Sequence, residues 1–376
     1  GIPGKNRRAL LETWYAANMK KGLIQREDYE PGGYLSNIDQ FDAEFFGLHD
    51  NEADNMDPWQ RLFLEVAYQA LEDAGYGGSM LSGTNTGVFA GRDMACASNY
   101  GKLAAEHSPL LLTGCYESIL AGRVSHALNL RGPSMVLDTA CSASLAALNP
   151  ACMMLREGAC GMAIVGGINI KENLVSLSEN PMENILTGND RVCTFSKNAS
   201  GTVFSEGIGV LVLKPYERAI KDGDMIYASI LGSAINNNGR GEHITTPNSR
   251  AQEDVIIKAC ENAGITMDSI GYMEAHGTGT LLGDPIEVSA ADAAMRRFTN
   301  RKQFCVLGTV KTNIGHTVGA SGMASVMKAV MAMRDQMIPA TINFEEANPL
   351  IDFPSTAFYV NTETKVWNNQ EDVPRR

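Results

Sequence analysis

The heptad Asp138-Thr139-Ala140-Cys141-Ser142-Ala143-Ser144 sets one cysteine between two segments of opposite character. Ser134-Met135-Val136-Leu137, just before it, reads as a buried strand. Ser144 to Leu155, just after it, is rich in Ala, Leu and Met and reads as a helix that is apolar nearly all round. A thiol at the first turn of such a helix meets unpaired backbone N–H groups and the positive end of the helix dipole, and both favour its anion. That placement turns a thiol with an ordinary pKa of about 8.5 into a usable nucleophile at neutral pH. The remaining cysteines, Cys96, Cys115, Cys152, Cys160, Cys193, Cys260 and Cys305, read as small buried hydrophobes. None belongs to a Cys-x-x-Cys or a Cys/His pair with zinc-ligand spacing, so no metal site is expected.

A cysteine nucleophile needs groups that move protons or meet developing charge, and histidine most often serves. The chain has only 6 histidines. Two of them stand in turns at the ends of apolar strands. His276 lies in Ile270-Gly271-Tyr272-Met273-Glu274-Ala275-His276-Gly277-Thr278-Gly279-Thr280. His316 closes Cys305-Val306-Leu307-Gly308-Thr309-Val310-Lys311-Thr312-Asn313-Ile314-Gly315-His316. A histidine on a loop carried by a rigid strand is better placed for function than one on a helix face. His49, His107, His126 and His243 lack this setting and read as surface or ordinary polar contacts. One cysteine and two such histidines form a nucleophile-plus-acid/base constellation.

In this order, the segments around Cys141, His276 and His316 closely resemble the ketosynthase, or beta-ketoacyl synthase, of type I polyketide synthases, within the thiolase superfamily. The similarity covers nearly the whole chain from about Tyr34 onward. Asn55-Met56-Asp57-Pro58-Trp59-Gln60-Arg61 is similar to that family's Met-Asp-Pro-Gln-Gln-Arg helix start, with Trp59 replacing the first Gln. Ser205-Glu206-Gly207-Ile208-Gly209, Val210-Leu211-Val212-Leu213-Lys214 and Leu282-Gly283-Asp284-Pro285-Ile286-Glu287 fit the family pattern as well.

The resemblance implies that Cys141 accepts an acyl chain from the phosphopantetheine arm of an acyl carrier protein. A malonyl-type extender on a carrier would then lose CO2, and its carbanion would attack the thioester to give a 3-oxoacyl chain two carbons longer. His276 and His316 would stabilise the enolate oxygen, with His316 kept neutral, because developing negative charge is best met by fixed donors in a dry pocket. Lys311 would support the site electrostatically, and Thr278 and Thr280 would hydrogen-bond the pantetheine arm. No cofactor is expected in the domain itself, since the carrier brings the phosphopantetheine. The implied partners are the carrier, other polyketide synthase domains and a second copy in a homodimer. Two alternatives stand beside elongation. A non-elongating relative that only transfers or decarboxylates acyl groups usually lacks the cysteine or the second histidine, and a non-catalytic structural partner lacks the nucleophile. A thiolase proper would need a second catalytic cysteine near the C-terminus, and Cys305 is misplaced for it.

Among the elements that must carry these turns, Val136-Leu137-Asp138-Thr139 has a counterpart in Val306-Leu307-Gly308-Thr309. Each is followed by a small-residue turn and an apolar helix, the second from about Ala320 to Arg334. With the resemblance, this echo implies a thiolase-like α/β fold: two duplicated mixed-sheet halves in a layered αβαβα arrangement. The expected division is residues 1–33, diverging from the family pattern, then 34–215 with the nucleophile and 216–376 with both histidines. Asp57-Pro58 and Asp284-Pro285 both read as an N-cap followed by proline at the first helical position. The helix after Asp57 is expected to run through Leu62–Ala74 and to end at Gly75.

With 376 residues and 44% hydrophobic content, the chain can bury a large core. No stretch approaches the ~18 consecutive apolar residues of a membrane span. The start of the chain lacks the apolar core of a secretory signal, and unpatterned cysteines suit a reducing compartment, so a cytoplasmic location is expected. A formal net charge of -12 argues against nucleic-acid binding. Carrier proteins are typically acidic, so a local basic patch is expected, drawn from among Arg123, Lys214, Arg250, Arg296, Arg297, Arg301 and Lys302, most of which read individually as solvated faces. Met94, Ser98, Tyr100, Leu111, Leu112, Cys115 and Tyr116 occupy the segment where relatives line the acyl pocket and dimer interface, and they read equally as ordinary core.

Four departures from the family carry expectations. The opening Ile-Ala-Ile-Ile-Gly strand and the closing Gly-Phe-Gly-Gly-Thr-Asn turn are not in the sequence, so a second oxyanion donor worth about 10²–10³ in rate is expected to be missing. Pro150, nine positions after Cys141, should kink its helix. Val318 stands two residues after His316, where many relatives carry an acidic residue, which alters the surroundings expected for Lys311.

Overall fold

A computed structural model describes residues 32–38, 40–93, 109–171, 186–187, 190–241, 243–244, 246–368 and 374–376. Their contacts divide into two compact units. The first is drawn from Gly1–Asn180, Ser205–Met225 and Thr317–Met323, the second from Pro181–Phe204, Ile226–His316 and Ala324–Arg376.

The first unit is built on a mixed sheet of β1 (Thr86–Arg92), β2 (Ser134–Leu137), β3 (Met162–Asn169) and β4 (Gly207–Leu213), in the order β2-β1-β3-β4. β1 is parallel to β2 and β3, whereas β4 runs antiparallel to β3. Every residue of β1 and of β3 is buried, as a central strand covered on both faces requires. Strand alternation sends Val88, Ala90, Ile164 and Ile168 to one face. There they meet α2 (Pro58–Asp73) through Trp59, Phe63, Leu64, Ala67 and Leu71, and α4 (Ile119–Ala127) through Leu120, Ala121 and Val124. Two shorter helices, α1 (Asp50–Asn55) and α3 (Pro109–Cys115), precede these two. Phe89, Ala163 and Val165 face the other way, onto Ala147, Leu148, Ala151, Cys152 and Leu155 of α5 (Ala143–Arg156). Each fully buried Leu, Phe or Met contributes ~1.5–3 kcal/mol, so one face holds α2 and α4 firmly to the sheet and the other holds α5. The unit closes with α6 (Tyr216–Asp222).

The expected N-cap at Asp57 is present: its Oδ1 accepts the Trp59 N–H at 2.8 Å, with Pro58 at the first position of α2. α5 covers the predicted Ser144–Leu155 and continues without interruption through Pro150. Two expectations are overturned. Ser134–Leu137 is an edge strand paired with β1 alone, so its residues are exposed or half-buried rather than buried. Arg123 and Lys214 are not basic-patch residues, because burial has forced each to find a carboxylate partner. Arg123 pairs with Glu52, and Lys214 lies 2.6 Å from Asp222 and 2.5 Å from Asp224. Met94, Ser98 and Tyr100 lie outside the described residues, as do Cys96 and His107. Leu112 and Tyr116 are 64% and 56% exposed, which ordinary core residues are not.

In the second unit, β5 (Tyr272–Glu274), β6 (Cys305–Gly308) and β8 (Phe358–Val360) form a parallel sheet in the order β5-β6-β8. Cys305, Leu307 and Phe358 pack onto Val288, Ala291, Ala294 and Met295 of α8 (Gly283–Arg296) and Cys260 of α7 (Ser249–Ala263). Val306 and Tyr272 face Ala332 of α10 (Ser321–Asp335) together with Trp367. A four-residue helix, α9 (Lys311–Ile314), separates β6 from His316, and β7 (Met337–Ile338) pairs with β9 (Lys365–Val366). The helix predicted from about Ala320 to Arg334 is therefore α10, entered through a 3₁₀ turn at Val318–Ala320.

At Gly91 a methyl group would stand 2.4 Å from Ser144 N and 2.5 Å from Ala143 C, backbone atoms that cannot swing aside. Gly91→Ala is expected to cost about 1–3 kcal/mol by overpacking. Gly122, a helical position with nothing within 4 Å, serves as the contrast. Gly122→Ala should be neutral or stabilising by up to ~1 kcal/mol. Urea unfolding midpoints of the two variants test this.

Candidate active site

Cys141 lies in the first unit, in the 3₁₀ turn Ala140–Ser142 that joins β2 to α5. It is a half-buried thiol outside any disulfide. The turn is fastened on both sides of it. Asp138 Oδ1 accepts the Ala140 N–H at 2.9 Å, and the Ser142 hydroxyl donates to the Thr139 carbonyl at 2.8 Å. Ala140 itself has φ +52°, a left-handed conformation that turns the chain sharply before the thiol. Helix α5 then starts at Ala143 with Ser142 as its N-cap, so Cys141 precedes the positive end of a 14-residue helix.

The second unit brings His276, His316 and Lys311 together. The two imidazole rings are edge to face, with centroids 5.4 Å apart and planes at 89°. His316 is buried, its ring centroid lies 5.6 Å from that of Phe204, and its backbone N–H donates to the Val203 carbonyl at 2.7 Å. Lys311 is 2% exposed, in the first turn of α9. Desolvation first, and then the Lys311 charge, holds both histidines below the ordinary imidazole range; for His316 the neighbouring His276 adds to this. His276 is exposed at its surface, so water weakens its desolvation and the downward direction is firmer for the buried His316. The Thr278 and Thr280 hydroxyls lie 3.5 Å apart in the loop that follows His276.

That loop is held by two carboxylates whose importance the sequence pattern did not reveal. Glu287 accepts the N–H groups of His276 at 2.6 Å and Gly277 at 2.8 Å. Asp284 accepts those of Gly279 at 3.1 Å and Phe195 at 2.8 Å. The expected N-cap role of Asp284 is therefore overturned. Leu282 is the N-cap of α8, and the Asp284 carboxyl instead accepts backbone N–H groups of the Gly279 loop and of Phe195. Burial pushes that carboxyl up to about 7 despite its backbone N–H donors. The signal was present in the three-residue spacing of Asp284 and Glu287, which puts both on one helix face. Among the described residues, no group of three or more His, Cys, Asp or Glu side chains is arranged to hold a metal ion.

Sheets covered by helices, a cysteine at a strand-to-helix turn and paired imidazoles at a strand end define an α/β enzyme of the thiolase-like class. Comparison with known proteins agrees. Residues 6–219 match the beta-ketoacyl synthase N-terminal domain and residues 227–345 the C-terminal domain. The chain is 40% identical over 376 residues to polyketide synthase PksN of Bacillus subtilis, a match covering 94% of this chain and 7% of that protein. It is 40% identical over 343 residues to polyketide synthase GfsA of Streptomyces halstedii, covering 89% of this chain and 4% of that one. The chain thus spans a small fraction of these curated relatives. Among solved structures, the ketosynthase from module 6 of the bacillaene synthase of Bacillus subtilis matches with a TM-score of 0.86 and 36% identity, over 99% of this chain and 66% of that one. Ketosynthase twelve of the bacillaene polyketide synthase of Bacillus amyloliquefaciens matches with a TM-score of 0.86 and 31% identity, over 98% and 69%. The chain belongs to the beta-ketoacyl synthase family, as a ketosynthase domain of the polyketide synthase kind.

Both histidines have folded pKa values below the ordinary 6.5, so the unfolded chain takes up protons first as pH falls. Their contribution to stability should be complete above about pH 6.5 and lost progressively below it. Histidine Cε1–H signals assigned by His276→Gln and His316→Gln should stay at neutral positions as pH falls from about 8 through the ordinary imidazole pKa of ~6.5. Signals of both residues that move to imidazolium positions at that pH would overturn the assignment.

Proposed function

We propose that this domain elongates acyl chains by decarboxylative Claisen condensation. The Cys141 thiolate attacks the thioester carbonyl of an acyl carrier protein, forming a C–S bond to the enzyme and releasing the carrier thiol. A malonyl-type unit on a carrier then loses CO2, and the electron pair of the broken C–C bond forms an enolate. That carbanion attacks the Cys141 thioester carbonyl; the cysteine leaves as thiolate and regains a proton. The product is a 3-oxoacyl chain, two carbons longer, on the carrier.

The observation that carries this reading is the pair of imidazoles held neutral at 5.4 Å centroid separation beside Lys311. Neutral imidazole donates an N–H to an enolate oxygen without itself needing a counter-charge, which suits a step that creates negative charge. His276 and His316 take that role, and the buried Lys311 adds a fixed positive potential. Thr278 and Thr280 offer hydroxyls to the pantetheine arm, which the partner carrier supplies as part of the substrate. The other polyketide synthase domains are further partners. A homodimer through the edge of β2 is supported by that strand's exposure, with Met135 at 36%. For carrier docking, Arg250, Arg301 and Lys302 remain as basic candidates once Arg123 and Lys214 are set aside together with Arg296 and Arg297, which pair with Asp292 and Glu253. We place the division between the nucleophile half and the histidine half at residues 215 and 216 and the protein in the cytoplasm. The location is compatible with the finding that, among the described residues, no helix is long and apolar enough to cross a membrane.

Intact-protein mass after incubation with an acyl thioester should show one adduct that disappears in Cys141→Ala. Malonyl-carrier should then discharge that adduct as a 3-oxo product; acylation without discharge would sink elongation and leave acyl transfer alone. In His316→Ala the adduct should persist while decarboxylation slows by about 10²–10³, the usual loss when one oxyanion donor is removed. Decarboxylation at the unmodified rate in that variant would remove His316 from the proposed mechanism.

A further inference from the structure

Glu274 ends β5, two positions before His276. Its Oε1 accepts the N–H of Val310 at 2.5 Å, and Val310 is the N-cap of the turn that starts with Lys311. The Tyr272 hydroxyl donates to Oε2, and Lys328 Nζ lies 3.0 Å from the same oxygen. Lys328 comes from α10, and its ammonium stands 5.8 Å from the Tyr272 ring centroid. One carboxylate therefore touches the strand that delivers His276, the turn that delivers Lys311 and the helix that follows His316. The side chains of Lys328 and Glu274 are 12% and 7% exposed.

Stability alone does not account for a charge pair in this position. Removing two ions from water costs several kcal/mol each, and a well-packed apolar pair of similar volume would join strand to helix equally well. An apolar pair would, however, leave the Val310 N–H without its acceptor, and with it the register between the ends of β5 and β6. Main-chain pairing ends at the Ala275 N–H, which donates to the Gly308 carbonyl at 2.8 Å. Beyond that bond the two strands diverge into the His276 loop and the Lys311 turn, and Glu274 is the side chain that spans the gap.

We propose that Glu274 is a positioning residue for this site, fixing the His276 strand end to the Lys311 turn through the Val310 N–H while Lys328 balances its charge. The proposal rests on the reading that His276 and Lys311 act in one decarboxylation step. Displacements of about 1 Å between cooperating groups cost roughly 10²-fold in rate.

The test compares Glu274→Leu/Lys328→Met with Glu274→Gln/Lys328→Met, so that neither variant strands a buried lysine. Both rates, Cys141 acylation and malonyl-carrier decarboxylation, are read together with the His276 and His316 Cε1–H signals. In the Leu variant decarboxylation should fall about 10²-fold, the His276 signal should move and acylation should hold. The Gln variant keeps an oxygen acceptor for Val310 and should return decarboxylation to within about fivefold of the unmodified domain. Unmoved histidine signals with unchanged decarboxylation in the Leu variant would overturn the proposal, as would a folded Gln variant that fails to rescue. Should the Leu variant not fold, Glu274→Asp withdraws the carboxylate by one methylene with both charges kept. It must then slow decarboxylation without slowing acylation, or the proposal fails. An unmodified domain that does not decarboxylate would defeat the function proposed above, while the histidine signals would still decide the positioning.

Discussion

The His276 turn depends on carboxylates buried against backbone N–H groups. A loop with glycines at φ +48° and +75° cannot satisfy its own amides by helix or ladder bonding, and buried amides without acceptors cost about 1–3 kcal/mol each. Glu287 takes two of them and Asp284 takes one more, together with that of Phe195. Charge-assisted bonds of this kind are roughly twice as strong as neutral ones, particularly where the surroundings are dry. The Thr194 hydroxyl completes the clamp by donating to the Gly277 carbonyl at 2.8 Å. The loop, the start of α8 and the Thr194–Phe195 segment consequently behave as one hydrogen-bonded body. Burial raises the Glu287 carboxyl above the ordinary range, and the backbone N–H donors and then the Lys311 charge work against that shift, so the cation beside the imidazoles also helps the carboxylate that holds one of them.

Much of this was legible in the sequence because the chemistry sits at punctuation. A strand, a turn of small residues and a helix leave a change of period in the pattern, and Cys141, His276 and His316, the three proposed catalytic residues, fall at such changes. Helix α2 was equally legible, since Asp57 and Pro58 do locally what their types suggest. Asp284-Pro285 carries the same dipeptide with a different outcome. There the nearest orphan amides belong to a loop folded back over the helix start, and tertiary need outweighs local capping. Ser134–Leu137 illustrates the same limit. Its apolar run specifies a strand, but only the order β2-β1-β3-β4 decides that it lies at an edge. Lys214 and Arg123 were unreadable for a related reason, because a lysine sequestered by two aspartates cannot be distinguished by type from one in solvent.

Close backbone approach does for the first unit what the carboxylates do for the second. Gly91 of β1 lets the start of α5 lie directly on the strand, and Gly167 of β3 would, with a methyl group, meet the Ser144 side chain at 2.5 Å and the Gly319 carbonyl at 2.6 Å. Both glycines sit in strands that are otherwise fully buried, where they forfeit packing area and gain proximity. The result fixes the height of the Cys141 turn above its sheet through the backbone. A substitution far from sulfur could therefore misplace the proposed nucleophile as effectively as one beside it.

A left-handed residue adjoins each of the three proposed catalytic residues. Ala140 at φ +52° precedes Cys141, Gly277 at φ +48° follows His276, and Gly315 at φ +76° precedes His316. Along a strand, side chains alternate between two covered faces, where a nucleophile or an imidazole would be sealed in. One residue in the left-handed region breaks that alternation within a single step and directs the next turn off the strand end. Glycine does this at little cost, whereas alanine and the β-branched Val318, at φ +40° in the turn after His316, hold conformations worth of order 1–3 kcal/mol. Such strain persists only where the surroundings over-determine it. Asp138 does so for Ala140, and for Val318 the neighbouring Gly319 is packed within reach of the Ile168 carbonyl and the Asp93 amide. Hydrogen bonds and backbone packing at the strand ends thus keep Cys141, His276 and His316 where an alternating strand would never put them.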